Sequence, residues 1–117
     1  MGAQWIDYKG KKILYVQYTG LKAPEMLGLI KTASEMIVAA KSNQVLSLTD
    51  VTDCFVNQEF LDLSKKQSAI TLQYTKKAAI IGIVGLKKVL LNGLNAFTSN
   101  PRVPFDTLQQ AKDWLVA

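Results

Sequence analysis

Two carboxylates and two hydroxyls crowd the short segment Thr49-Asp50-Val51-Thr52-Asp53, directly after the apolar run Val45-Leu46-Ser47-Leu48. If that run is a strand, the segment lies at its carboxyl end, where open α/β sheets bind ligands. Side chains of this kind can hold a hard cation or act as an acid–base pair. They also form turns and satisfy local backbone groups, and no third acidic ligand accompanies them, so turn formation is the simpler reading. Further along, Gly82-Ile83-Val84-Gly85 leads into Leu86-Lys87-Lys88. Backbone amides and two ammonium groups at a strand-to-helix turn suit an anion. The spacing matches neither a Walker loop nor a dinucleotide fingerprint, and the glycines equally suit close packing and a turn. Asn57 stands where a second helix should begin, as a cap and as part of a partner-facing surface.

Much chemistry is removed by composition. The 117 residues contain no His, which takes away the commonest general base and the commonest zinc ligand. Cys54 is the single cysteine, so neither an internal disulfide nor a Cys/His nucleophile can form. With Phe55 and Val56 it reads as a buried or half-buried loop anchor. Fourteen Lys and Arg against nine Asp and Glu give a formal charge of +5, but Lys supplies all of the positive residues except Arg102. The doublets Lys11-Lys12, Lys65-Lys66, Lys76-Lys77 and Lys87-Lys88 are scattered, with Tyr74 the one aromatic beside them. Nucleic-acid readers lean on Arg and on exposed aromatics, so no nucleic-acid partner is expected. The longest uncharged apolar run, Ala78–Leu86, is far below the roughly 20 residues a membrane span needs. No signal peptide is apparent in Met1-Gly2-Ala3-Gln4-Trp5-Ile6, and a cytoplasmic location is the expectation.

Positioning these residues requires a regular frame, and 49% hydrophobic content over this length supplies enough core for one domain spanning 1–117. Trp5–Tyr8 and Lys12–Tyr18, parted by Lys9-Gly10-Lys11, predict a hairpin. Met26, Leu29, Ile30, Ala33, Met36, Ile37 and Ala40 recur at helical spacing after Pro24, with Lys31, Ser34 and Glu35 off the stripe. The run Val45–Leu48 predicts a third strand. A helix from Asn57 carries Phe60, Leu63 and Ile70, and 78–84 is apolar throughout, as a central strand covered on both faces should be. A third helix has Leu90, Leu94 and Phe97 on one side. Val103-Pro104-Phe105 is a short edge strand, followed by a helix capped by Asp106 or Thr107. Trp5, Phe105 and Trp114 read as packing residues. The order ββαβαβαβα predicts an α/β domain with a mixed, mostly parallel sheet of four or five strands and helices on both faces.

This order, the segment Leu48-Thr49-Asp50-Val51-Thr52, and above all the tail from Arg102-Val103-Pro104-Phe105-Asp106 to Ala111-Lys112-Asp113-Trp114-Leu115 resemble the SpoIIAA-like (STAS/SEC14-type) family of small bacterial proteins. The resemblance covers essentially the whole chain. It implies a regulatory protein-interaction module with no catalytic set, metal or cofactor, in a family without a settled biochemical activity. In the antagonist members a serine at the start of the second helix is phosphorylated. The matching position here falls at Val56 or Asn57, neither of which has a hydroxyl, so that switch is not expected. The expected function is therefore a non-enzymatic module that binds a protein partner or a second copy of itself as a homodimer. The alternative is a carrier or sensor for a small anionic or lipidic ligand between sheet and helices near Asp50, Gly85 and Lys87. The candidate ligand or partner loop comprises Thr49, Asp50, Thr52, Asp53, Asn57, Gly85, Lys87 and Lys88.

Overall fold

A computed structural model describes residues 2–96 and 98–117, Leu86 by its backbone alone. Phe97, expected on the apolar side of the third helix, lies outside the described residues.

The chain opens with β1 (Gly2–Tyr8) and β2 (Lys11–Gln17), antiparallel, with Trp5 opposite Leu14 and Tyr8 opposite Lys11. Lys9 and Gly10 both have positive φ, 48° and 81°, the two-residue turn whose twist matches that of paired strands. Helix α1 (Ala23–Ala39) starts with Pro24 in its first turn, and the Glu25 carboxylate accepts from the Lys22 backbone N–H at 2.9 Å. Strand β3 (Val45–Asp50) runs parallel to β2, and helix α2 (Gln58–Thr71) follows, ending in one 3-10 turn at Leu72–Tyr74. Strand β4 (Thr75–Ile81), helix α3 (Leu86–Asn95), strand β5 (Val103–Phe105) and helix α4 (Leu108–Val116) complete the chain. The α/β class, the mixed sheet and the cap of α4 by Thr107, whose hydroxyl accepts from Gln110 N–H at 3.1 Å, agree with the sequence reading.

The five strands lie in chain order, β1-β2-β3-β4-β5, and all pairs but the first are parallel. Parallel crossovers are right-handed, so three successive steps in one direction deliver α1, α2 and α3 to the same face. Side chains alternate accordingly. Leu14, Val16, Val45, Val51 and Ile80 pack under these helices, against Met26, Ile30, Ile37, Phe60 and Leu91. Ile13, Leu46, Leu48, Ala79 and Ile81 point the other way, where Ala111 and Leu115 of α4 cover them. Helices thus stand on both faces, three against one. No helix among the described residues is long and apolar enough to cross a membrane.

Three expectations need correction. Strand β3 continues two residues past Leu48, and β4 lies three residues earlier than 78–84, because Gly82 at φ +90° turns the chain out of the sheet. Lys76 and Lys77 therefore belong to a strand. Lys77 lays its stem along the sheet and places its ammonium 2.9 Å from the Trp114 carbonyl and 5.0 Å from that indole's centre, so its charge hides a strand position from a hydropathy pattern. Trp5 is 37% exposed on the edge strand β1 and is not a core residue, whereas Phe105 and Trp114 pack together as expected, with ring centres 5.4 Å apart.

Helix α4 is tied to the hairpin through Asp113. Its carboxylate accepts from the Tyr8 hydroxyl at 2.5 Å, from Lys9 Nζ at 3.1 Å and from Gln109 Nε2 at 3.2 Å. The Tyr8 hydroxyl, then Lys9 and Gln109, hold Asp113 at a pKa of about 2, below the ordinary 3.8. A carboxylate with a lowered folded-state pKa contributes stability above its unfolded pKa and loses it as pH falls through the folded one. Asp113→Asn should therefore be less stable than the parent at pH 7, with the gap closing between about pH 4 and pH 2 in urea titrations. A gap that stays constant down to pH 2 would refute this role.

Candidate functional site

The segment 49–53 is not one loop. Thr49 and Asp50 end β3 and point to opposite faces, so the two hydroxyls and two carboxylates do not converge on a cation or acid–base site, and the simpler turn-forming role fits Asp50. Asp50 is buried on the α4 side. Its Oδ1 accepts from Thr52 N–H at 2.9 Å, closing an Asx turn, and its Oδ2 accepts from the Tyr15 hydroxyl at 3.4 Å. Burial, and then the carboxylate of Asp50, push the Tyr15 phenol above its ordinary pKa. Thr52 is exposed, with its carbonyl accepting from Thr19 Oγ1 at 3.0 Å, and Asp53 is exposed on a turn at φ +57°. Among the described residues no group of three His, Cys, Asp or Glu side chains could hold a metal ion.

Neighbouring residues have equally local duties. Asn57 caps α2, its Oδ1 accepting from Phe60 N–H at 2.8 Å. Cys54 is half-buried and its thiol, pushed up first by burial, points at the Thr52 carbonyl at 3.5 Å. Phe55, expected as an anchor, is instead 81% exposed. Gly82 sits so close to the 51–53 turn that a Cβ there would lie 2.4 Å from Thr52 N. Gly85 precedes α3 at φ 59°, ψ −130°, a conformation open only to glycine. Lys87 spends its ammonium on the carbonyls of Val51, at 2.7 Å, and Gly82, at 3.3 Å, stitching the β3–α2 loop to the β4–α3 loop. The α3 amides of Lys87 and Lys88 are already bonded to Val84 and Gly85 carbonyls. The anion site expected at this turn is thus filled by the protein's own carbonyls, and only Lys88 remains exposed there.

A different constellation, missed in the sequence, lies deeper on the face covered by α1, α2 and α3. Ser47 and Thr49 of β3 face Ser34 of α1 and Ser64, Ser68 and Thr71 of α2, and Arg102, just before β5, reaches in among them. Four of these, Ser34, Ser47, Ser64 and Thr71, are buried. Arg102 Nη2 donates to Ser68 Oγ at 3.0 Å. Asn95 fixes the Arg102 backbone from both sides, accepting its N–H at 3.0 Å and donating to its carbonyl at 2.9 Å.

These side chains wall two adjoining spaces of about 360 Å³ and about 70 Å³, which share Ser47, Ser68, Thr71 and Arg102. Apolar walls come from Ile37, Leu72, Ala78 and Leu94, and Lys65 stands exposed at the margin of the larger space. Among the described residues no Asp or Glu lines either space. Burial accordingly holds the guanidinium below the ordinary arginine pKa, opposed by no carboxylate and only by the Tyr18 phenol. Arg102 is half-buried, and a cation partly withdrawn from water is ordinarily met by an opposite charge that offsets its lost solvation.

Two signals for this chamber were present in the sequence. Ser64, Ser68 and Thr71 fall at i, i+4 and i+7, a hydroxyl stripe on one face of α2, and Arg102 is the chain's lone arginine.

Comparison with protein-family models, with curated proteins and with solved structures finds no match to this chain.

The close approach at Gly82 carries a prediction. Gly82→Ala should lower unfolding stability by about 2 kcal/mol or more, combining a clash against backbone with a positive φ. Chemical denaturation measures it, and a loss below about 0.5 kcal/mol, the range of ordinary surface changes, would show that the loop gives way.

Proposed function

We propose that this protein is a non-enzymatic carrier or sensor that binds a small anion in the chamber walled by Arg102. The observation that carries this reading is the guanidinium itself, half-buried among hydroxyls at a space of ligand size with no carboxylate lining it. Structural arginines in such positions are met by Asp or Glu; here the opposite charge has to arrive from outside. The binding site lies under the helices and not at the Asp50–Lys87 turn. Kinship with the SpoIIAA-like family is part of the same proposal, supported by the order of elements and the Arg102–Leu115 tail.

The reading separates stability from binding. Arg102→Met removes a half-buried charge that no carboxylate meets, so the ligand-free variant should unfold within about 1 kcal/mol of the parent or above it. Protein purified under native conditions should carry extra mass in native mass spectrometry that is lost on denaturation and is absent from Arg102→Met. A clean mass for the parent, together with a loss of stability in the variant, would mean that Arg102 serves the fold alone.

A second reading, self-association as a homodimer, is favoured by three exposed apolar side chains. Phe55 and Val84 stand on the two loops stitched by Lys87, and Val89 follows on α3, with 81%, 68% and 65% of their surfaces exposed. Sedimentation velocity should then show a concentration-dependent dimer that Phe55→Ser converts to monomer at unchanged melting temperature. A parent that stays monomeric at every concentration removes this reading.

A further inference from the structure

Resting on the reading of the Arg102 chamber as an anion site, we infer that its ligand is a monocarboxylate with a short apolar tail, bound head-first against the guanidinium. Charge decides the head. Of the two cations that line the chamber, Lys65 is exposed and Arg102 alone is half-buried, so a single negative charge matches the inner cation. A phosphate dianion would bring a second negative charge that Arg102 alone does not balance, since Lys65, the other basic lining residue, is solvent-exposed. Geometry agrees with charge. Guanidinium is a planar fork of five N–H donors matched to the two oxygens of a carboxylate, and one donor is spent on Ser68 Oγ at 3.0 Å. That bond, with the Asn95 clamp on the Arg102 backbone, aims the fork before a ligand arrives. The Ser47 hydroxyl on the shared wall supplies a further donor for a carboxylate oxygen.

The remainder of the wall selects the tail. Ile37, Leu72, Ala78 and Leu94 present hydrocarbon to the larger space. Thr75, Thr98 and Asn100 also line it, but Thr75 Oγ1 donates to the Thr71 carbonyl at 3.0 Å, Asn100 Nδ2 to the Thr75 carbonyl at 2.8 Å, and Thr98 Oγ1 accepts from Asn100 N–H at 3.2 Å. These groups are engaged within the protein, and the hydrocarbon favours an apolar tail. Volume sets the length. About 360 Å³ lies near the lower end of the roughly 300–1,000 Å³ range of small-molecule sites. A nucleotide or a two-chain lipid is too large, which narrows the anionic or lipidic expectation drawn from the sequence to a small amphipathic acid.

Isothermal titration of the full chain, freed of any carried ligand by unfolding and refolding, with sodium octanoate, sodium acetate, 1-octanol and inorganic phosphate tests this. Octanoate should bind one to one, at least tenfold tighter than acetate, which lacks the tail, and than octanol, which lacks the charge. Phosphate should show no saturable binding at the same concentrations. Arg102→Gln should weaken octanoate at least tenfold, and Arg102→Lys, which keeps the charge but loses the planar fork, should weaken it too; the pair guards against a variant that fails to fold. Tighter binding of phosphate than octanoate, lost in Arg102→Gln, would overturn the carboxylate assignment while leaving the anion site standing. Octanoate binding that is indifferent to both variants would place it elsewhere and overturn the inference. No Arg102-dependent binding of either anion would bring down both the inference and the anion reading on which it rests.

Discussion

Three parallel crossovers of one hand, taken in one direction across the sheet, determine most of what this molecule can be. They load α1, α2 and α3 onto a single face and leave β3 and β4 bare on the other, so that the last helix must return to cover Leu48, Ala79 and Ile81. The chain meets that demand with a nine-residue helix anchored by Ala111 and Leu115 and tied to the first hairpin through Asp113. The two faces therefore differ in kind. One is a thin layer held by packing and a polar clasp. The other is a thick layer whose helices must share a single sheet surface.

Crowding three helices over one face could fill it completely, and near β2 it does: Tyr18 meets the Phe60 ring edge-on at 5.2 Å amid Met26 and Ile30. Toward β4 and β5 the side chains shrink. Ser34, Ser47, Ser64 and Ala78 stand where Leu or Ile would close the layer, and the volume they leave is where Arg102 enters. Small hydroxylated residues that leave space and a cation that occupies its wall form one arrangement. Each would be a defect without the other, since a void loses packing and a half-buried guanidinium without acceptors loses solvation.

The frame was legible because its elements carry strong periodic signals. The apolar stripe of α1, the Lys9-Gly10 turn, the Asn57 and Thr107 caps and the proline of β5 all act as the sequence suggests. Errors arose where tertiary contacts override composition. Lys77 reads as a charged flank but is a strand residue whose ammonium reaches the end of α4, and Phe55 reads as an anchor but faces solvent. The conspicuous polar groups serve the turns and caps that were the simpler of their two sequence readings, and the chamber was missed for a related reason. Asp50, Asn57 and Lys87 have conspicuous chemistry, yet their polar atoms are committed to neighbouring backbone groups. The chamber residues are ordinary serines and threonines from three different elements, and only the fold brings them to the one arginine. Short-range spacing reports turns and caps; it carries little information about what converges across a sheet.

The two borders of the sheet are unequal. At one end β5 has only three residues, and one of them, Pro104, has no N–H, so a foreign strand arriving there finds a short ladder lacking a donor. At the other end β1 offers seven residues with no proline. Any growth of this sheet from molecule to molecule, in a crowded cell or a concentrated solution, is directed to the β1 border, where charged Asp7 and its partner Lys12 stand guard at 3.3 Å.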